Sequence, residues 1–172
     1  MLLITRCLNS SLTAFDPFIT LETVETETFA SAAISLIVIS SAPFITISYG
    51  PPASSLFNKM LHLLDHRGPD DMRTYFDQHV LLGHCRLSII DLKGGMQPLE
   101  YTYQDITYRI IFNGEIYNMN ELKKHLIDLG FHFYSQSDSE VLLVSFIAYK
   151  EKCLNMLDGI FSFVISYENK IF

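Results

Sequence analysis

The sequence predicts an α+β fold, with strands and helices grouped instead of strictly alternating. Apolar, strand-like runs follow one another at Arg73–Phe76, Val80–Ile89, Tyr101–Tyr103 and Ile106–Phe112. Two helix-like stretches then come in succession, Asn118–Gly130 and about Ser137 to Lys150, before another strand-like run at Ile160–Tyr167. Strands in a run followed by helices in a run point to α+β organisation. Apolar residues make up 49% of the 172 and charged residues 18%, which excludes a disordered chain and suffices for a core.

The first part of the chain is set apart by charge. Nothing between Thr28 and Asn58 is charged, and Phe29–Tyr49 is long enough to span a bilayer. Its many hydroxyls (Ser31, Ser35, Ser40, Ser41, Thr46, Ser48), Pro43 and the acidic approach of Glu22, Glu25 and Glu27 speak against a membrane helix. The alternative is two strands, Ile34–Ile39 and Phe44–Tyr49, broken at Ser41-Ala42-Pro43; Ile45-Thr46-Ile47-Ser48-Tyr49 has the two-residue strand period. Arg6 among the first apolar residues, with no small-residue cleavage site, argues against a secretory signal.

Later elements have clearer boundaries. Ser54 or Ser55 can cap a helix whose apolar face is Leu56, Phe57, Met60, Leu61 and Leu64, ending before the polar turn His66-Arg67-Gly68-Pro69-Asp70-Asp71. A loop through Gly94, Gly95 and Pro98 leads to a hairpin turning at Gln104-Asp105. Asn118 as cap, Glu121 three residues on, Leu122, Leu126 and Leu129 on one face, and Gly130 as the stop mark the next helix. The helix from Ser137 or Asp138 is apolar on most sides and is expected to be buried. After Ile160–Tyr167, Glu168-Asn169-Lys170 turns into Ile171-Phe172, the start of a partner strand, so the domain is expected to be incomplete at its C-terminus.

Twelve Lys+Arg against 19 Asp+Glu give a formal charge of −7 without a basic cluster, which argues against a nucleic-acid or anionic-membrane surface. Cys7, Cys85 and Cys153 are too far apart for a metal knuckle, and their odd number does not fit a disulfide framework; reduced, cytosolic thiols follow. No metal site is indicated.

Four polar features remain. Asn113-Gly114 is either a hairpin turn or, at a strand end, a pair of fixed donors for an oxyanion hole. Arg86, in an apolar strand, is either an outward-facing residue or a fork for a small-molecule carboxylate. Asp138, at a helix start, can cap backbone N–H groups, hold a substrate ammonium, or do both. His66 and Arg67 can pair with a helix C-terminus. Jointly, a carboxylate clamp, an ammonium clamp and an oxyanion hole suit an amino acid undergoing acyl transfer at its side chain.

In order and spacing, several segments resemble the glutamine amidotransferase domain of asparagine synthetases. They are His66-Arg67-Gly68-Pro69-Asp70, Gly83 to Leu99 with its Gly94-Gly95-Met96-Gln97-Pro98 loop, Asn113-Gly114-Glu115-Ile116-Tyr117-Asn118, Ser137 to Leu143, and Leu157 to Phe163. The resemblance runs from Leu56 to the end and leaves residues 1–55 as an unmatched leader before a truncated domain at 56–172. It implies an N-terminal-nucleophile hydrolase fold, two antiparallel sheets between helical layers, incomplete here at both ends. It also implies glutaminase chemistry in the cytoplasm, with ammonia passing to a separate synthetase domain that carries ATP and Mg and amidates aspartate. No cofactor is implied in this domain, and a homodimer is the expectation for the full-length protein. By position, Arg86 would hold the glutamine α-carboxylate and Asp138 its α-ammonium, with Asn113 and Gly114 as the oxyanion hole. Arg86, Leu87, Ser88, Ile89 and Ile90, with Asn113, Gly114 and Glu115, would line the pocket.

One departure leaves an alternative open. The family's nucleophile is a cysteine directly after the initiator Met, whereas this chain begins Met1-Leu2-Leu3-Ile4 and has no cysteine between Leu36 and Ser41, where the motif spacing would place it. Cys7 lies too far upstream, and Cys85 is not at the nucleophile position. The alternative is a domain that binds glutamine or acts as a scaffold without hydrolysing it.

Overall fold

The structure is a computed structural model, which describes residues 35–38, 44–48, 54–66, 68–77, 80–86 and 95–172. The described residues fall into two compact units, one up to Arg86 and the other from residue 95 onward. Each contributes one four-stranded antiparallel sheet to an α+β fold.

The sheet of the first unit runs β1 (Ser35–Val38), β2 (Phe44–Ser48), β4 (Val80–Arg86), β3 (Asp71–Phe76) across its width. The uncharged segment thus supplies strands, and among the described residues no helix is long and apolar enough to cross a membrane. Phe57 and Leu61 of α1 (Ser54–His62) are buried beside Leu81 and Cys85. Gly83 permits this contact, since a Cβ there would lie 2.7 Å from the Phe57 ring. The helix ends at His62, short of the expected Leu64. Turn bonds such as Leu64 N–H to Leu61 O (2.9 Å) replace the last helical rung, so His66 lies past the helix end. Arg67 is outside the described residues.

In the second unit the order is β5 (Leu99–Tyr103), β6 (Ile106–Ile116), β7 (Gly159–Tyr167), β8 (Lys170–Ile171). Gln104 and Asp105 both adopt positive φ, as a two-residue hairpin turn requires. One face of this sheet carries Tyr108, Ile110, Phe112, Ile116, Phe161 and Ile165, packed with Leu122 and Leu126 of α2 (Met119–Asp128) and with α3 (Asp138–Tyr149). α3 is buried continuously from Ser139 to Ile147, as its all-round apolarity predicts. A short 3₁₀ helix, Lys150–Asn155, follows it.

Three expectations are corrected here. Leu129 is 53% exposed, because the helix has ended and Gly130 (φ +94) turns the chain away. Bonds from Gly130 N–H to Ile127 O and from Phe131 N–H to Leu126 O close that end. Asn118 does not cap α2 through its side chain; the amide instead donates to Met156 O (2.8 Å) and accepts from Asp158 N–H (3.0 Å), tying the helix start to the approach to β7. Most consequential for function, β6 does not stop at Phe112. It continues through Asn113-Gly114-Glu115 to Ile116, because β7 pairs with it as far as Gly159.

Candidate functional site

The site grows from the mismatch in length between β6 and its neighbours. β7 accompanies β6 from Tyr108 to Ile116, whereas β5 stands opposite it only from Ile106 to Ile110. Beyond Ile110 the β5-side edge has no partner strand among the described residues. In antiparallel sheets, successive residues aim their backbone groups to alternate sides. Tyr117 N–H donates to Asp158 O (2.7 Å) on the β7 side, so Phe112, Gly114 and Ile116 present their N–H groups to the other edge. Side chains engage two of these: Phe112 N–H donates to Gln97 Oε1, and Ile116 N–H donates to the Asp138 carboxylate. Gly114 lies between them with no β5 residue opposite.

Glycine is required at that position. Gly114 has φ +141, and a Cβ would lie 2.2 Å from Ile160 O and 2.5 Å from Phe161 Cα. Gly159 opposite Ile116 is under the same constraint, its added Cβ falling 2.1 Å from Glu115 O. Asn113 pairs with Ser162 and, by strand alternation, lies on the face away from the helices; it is half-buried, while Gly114 and Glu115 are exposed. Asn113-Gly114 is therefore neither a hairpin turn nor a strand end, but a strand interior with one open edge.

Asp138 reaches that edge from the first turn of α3. Ser137 caps the helix, its Oγ accepting from Glu140 N–H (3.3 Å), which leaves the Asp138 carboxylate to accept from Ile116 N–H and Ser139 N–H. Burial pushes the Asp138 pKa above the ordinary 3.8; these N–H donors pull it down, and the nearby Glu115 carboxylate adds to the rise. Glu140, 2% exposed, secures the preceding loop by accepting from Tyr134 N–H (2.8 Å), Ser135 N–H (2.7 Å) and Ser135 Oγ (2.6 Å). The spacing Ser137-x-x-Glu140 is a signal that could have flagged this carboxylate in the sequence. Gln97 and Ser139 had no such signal; their burial is a tertiary property.

Arg86 belongs to the other unit. It is buried in β4 opposite Asp71, which excludes the outward-facing alternative. Its backbone is braced from behind: Asp70 N–H donates to Arg86 O (3.0 Å), and a Cβ on Gly68 would lie 2.4 Å from the Cys85 carbonyl carbon. Leu87, Ser88, Ile89 and Ile90 are outside the described residues, as is Cys7. Cys85 is buried with its Sγ donating to Leu61 O (3.5 Å), and burial, with Asp65 contributing, pushes its thiol up to about 11. Burial likewise pushes Cys153 up to about 12. Neither is poised to form a thiolate. Among the described residues no group of His, Cys, Asp or Glu is placed to hold a metal ion.

Comparison with known proteins bears on this arrangement. The chain is 45% identical over 113 residues to asparagine synthetase [glutamine-hydrolyzing] 3 of Bacillus subtilis, which covers 66% of this chain and 18% of that protein. Identity to asparagine synthetase [glutamine-hydrolyzing] 1 of the same organism is 47% over 114 residues, with the same coverage. For the Zea mays asparagine synthetase [glutamine-hydrolyzing] it is 44% over 102 residues, or 59% of this chain and 17% of that one. The chain thus spans under a fifth of the length of these relatives. Among solved structures, glutamine phosphoribosylpyrophosphate amidotransferase from B. subtilis superposes with a TM-score of 0.44 at 26% identity, covering 52% of this chain and 21% of that one. The sequence pattern of the glutamine amidotransferase domain matches residues 44–171, a stretch of sequence that includes Arg86, Asn113, Gly114, Glu115 and Asp138. The chain belongs to the glutamine amidotransferase domain family.

Proposed function

We propose that this chain is the glutamine-handling part of a glutamine-hydrolysing asparagine synthetase. It binds L-glutamine and hydrolyses the side-chain amide to glutamate, and the ammonia serves ATP-dependent amidation of aspartate in a separate synthetase domain. The observation that carries this reading is the open edge of β6, where Gly114 N–H is bracketed by side-chain-bonded neighbours and a half-buried carboxylate stands one rung further on. The names of the relatives support the final acceptor. In this assignment Asp138 receives the α-ammonium and Arg86 the α-carboxylate, the guanidinium fork matching a carboxylate's two oxygens. The Asn113 side-chain amide and the Gly114 N–H stabilise the oxyanion that forms when the amide carbon becomes tetrahedral. By motif position in the sequence, Arg86 to Ile90 and Asn113 to Glu115 are the residues this assignment gives to glutamine recognition. The domain works in the cytoplasm on an N-terminal-nucleophile hydrolase scaffold, needs no cofactor of its own, and leaves ATP and Mg to the synthetase domain of a homodimeric full-length protein.

A second reading, binding without hydrolysis, is favoured by one observation: Cys85 and Cys153 are buried with thiols pushed well above neutral pH. Calorimetric titration with L-glutamine and an ammonia-release assay on the same preparation test both. Binding with ammonia release at enzyme rates upholds hydrolysis. Saturable binding without release upholds the second reading, and absence of binding overturns both.

A further inference from the structure

We propose that Gln97 is a positioning residue that fixes the distance between the Gly114 N–H and the Asp138 carboxylate. The proposal rests on the assignment of glutamine to that edge, and it adds a residue that touches neither group. β5 begins only at Leu99, opposite Ile110, and the preceding Pro98 has no N–H to extend the ladder. The side chain of Gln97 takes over one rung of it: Oε1 accepts from Phe112 N–H, the next donor on that edge. The same amide donates through Nε2 to Ser139 Oγ (3.3 Å). Phe112 directly precedes Asn113, and Ser139 directly follows Asp138. One planar amide therefore joins the strand bearing the oxyanion donors to the helix turn bearing the ammonium carboxylate. Gln97 and Ser139 are 8% and 2% exposed, so water does not compete freely for either bond.

An amide that only satisfied core polar groups would affect stability alone. A spacer must also set the geometry of the two clamps, where displacements near 1 Å matter. The test uses the full chain. Glutamine affinity by calorimetry, melting temperature, and amide hydrogen exchange by NMR are compared for wild type, Gln97→Ala, Gln97→Glu, Ser139→Ala and Leu154→Ala.

Gln97→Ala is expected to weaken glutamine binding about tenfold or more, and Ser139→Ala, which keeps the bond to Phe112, about threefold. Gln97→Glu retains an acceptor for both Phe112 N–H and the Ser139 hydroxyl, and restores most of the affinity. Leu154→Ala loosens the same core elsewhere, lowering the melting temperature with affinity kept within about twofold. In Gln97→Ala, exchange at Ile116 N–H should accelerate about tenfold or more relative to Tyr108 N–H, which is paired to β5. Unchanged affinity in Gln97→Ala, or a loss matched by Leu154→Ala, overturns the proposal. If Gln97→Ala does not fold, Ser139→Ala decides by the same criterion. Should wild type bind no glutamine, the functional assignment fails. Exchange then decides alone: acceleration at Ile116 supports the spacer, and its absence overturns it.

Discussion

Asp138 is held in electrostatic tension. Burial and the Glu115 carboxylate favour its neutral form, whereas an incoming ammonium would favour the charged form. Its folded pKa lies above the usual value, so its contribution to stability is fully present at low pH and is lost as pH rises through the folded pKa. Asp138→Asn should flatten that part of the stability profile, as measured by urea unfolding at a series of pH values. Glutamine affinity has the opposite sign. It should fall as pH drops through the raised Asp138 pKa, with proton release on binding in that range, both measurable by calorimetry. Arg86→Ala is expected to abolish glutamine binding; unchanged affinity would remove Arg86 from the carboxylate clamp. Ser166, on β7, has a buried hydroxyl with no hydrogen-bond partner among the described residues. Ser166→Ala should therefore raise unfolding free energy by about 1 kcal/mol, since it deletes an unsatisfied polar group.

At the scale of elements, the pairing of β6 with β7 decides the site. The alternating apolar pattern of Ile106–Phe112 is legible as a strand, but Asn113-Gly114-Glu115 breaks the pattern and looks like an end. Pairing of Gly114 and Ile116 with Phe161 and Gly159 carries the strand on, through backbone contacts that only glycine permits. Gly114→Ala would place a Cβ against the backbone of β7 at an unfavourable φ, and is expected to cost about 3 kcal/mol of stability. Chemical denaturation would measure it, and a loss below about 1 kcal/mol would mean that β7 can retreat. The ends of α2 and α3 show the same contrast. The Gly130 stop and the Ser137 cap act within a few residues and were legible. Asn118 turned to partners near Met156 and Asp158, distant in sequence, and that was not.

For the whole molecule, the distribution of thiols sets the chemistry within reach. Cys85 and Cys153 lie in separate packed cores and should resist alkylation by iodoacetamide in the native state at pH 8, becoming reactive only on unfolding. Rapid native labelling of either, read by mass spectrometry, would contradict their burial. The sequence by itself determined the grouping of strands and helices, the hairpin at Gln104-Asp105, the buried helix after Ser137, and the family through motifs in fixed order. These are local: a turn, a cap or a periodic face is encoded by neighbouring residues. Only the tertiary structure decided that β5 starts no earlier than Leu99, that β6 runs on past it, and that Gln97 and Ser139 are buried beside the edge this leaves. The open strand edge arises because β6 outruns its hairpin partner β5 and is matched instead by β7, which lies beyond α2 and α3 in the chain, and no local pattern records that inequality.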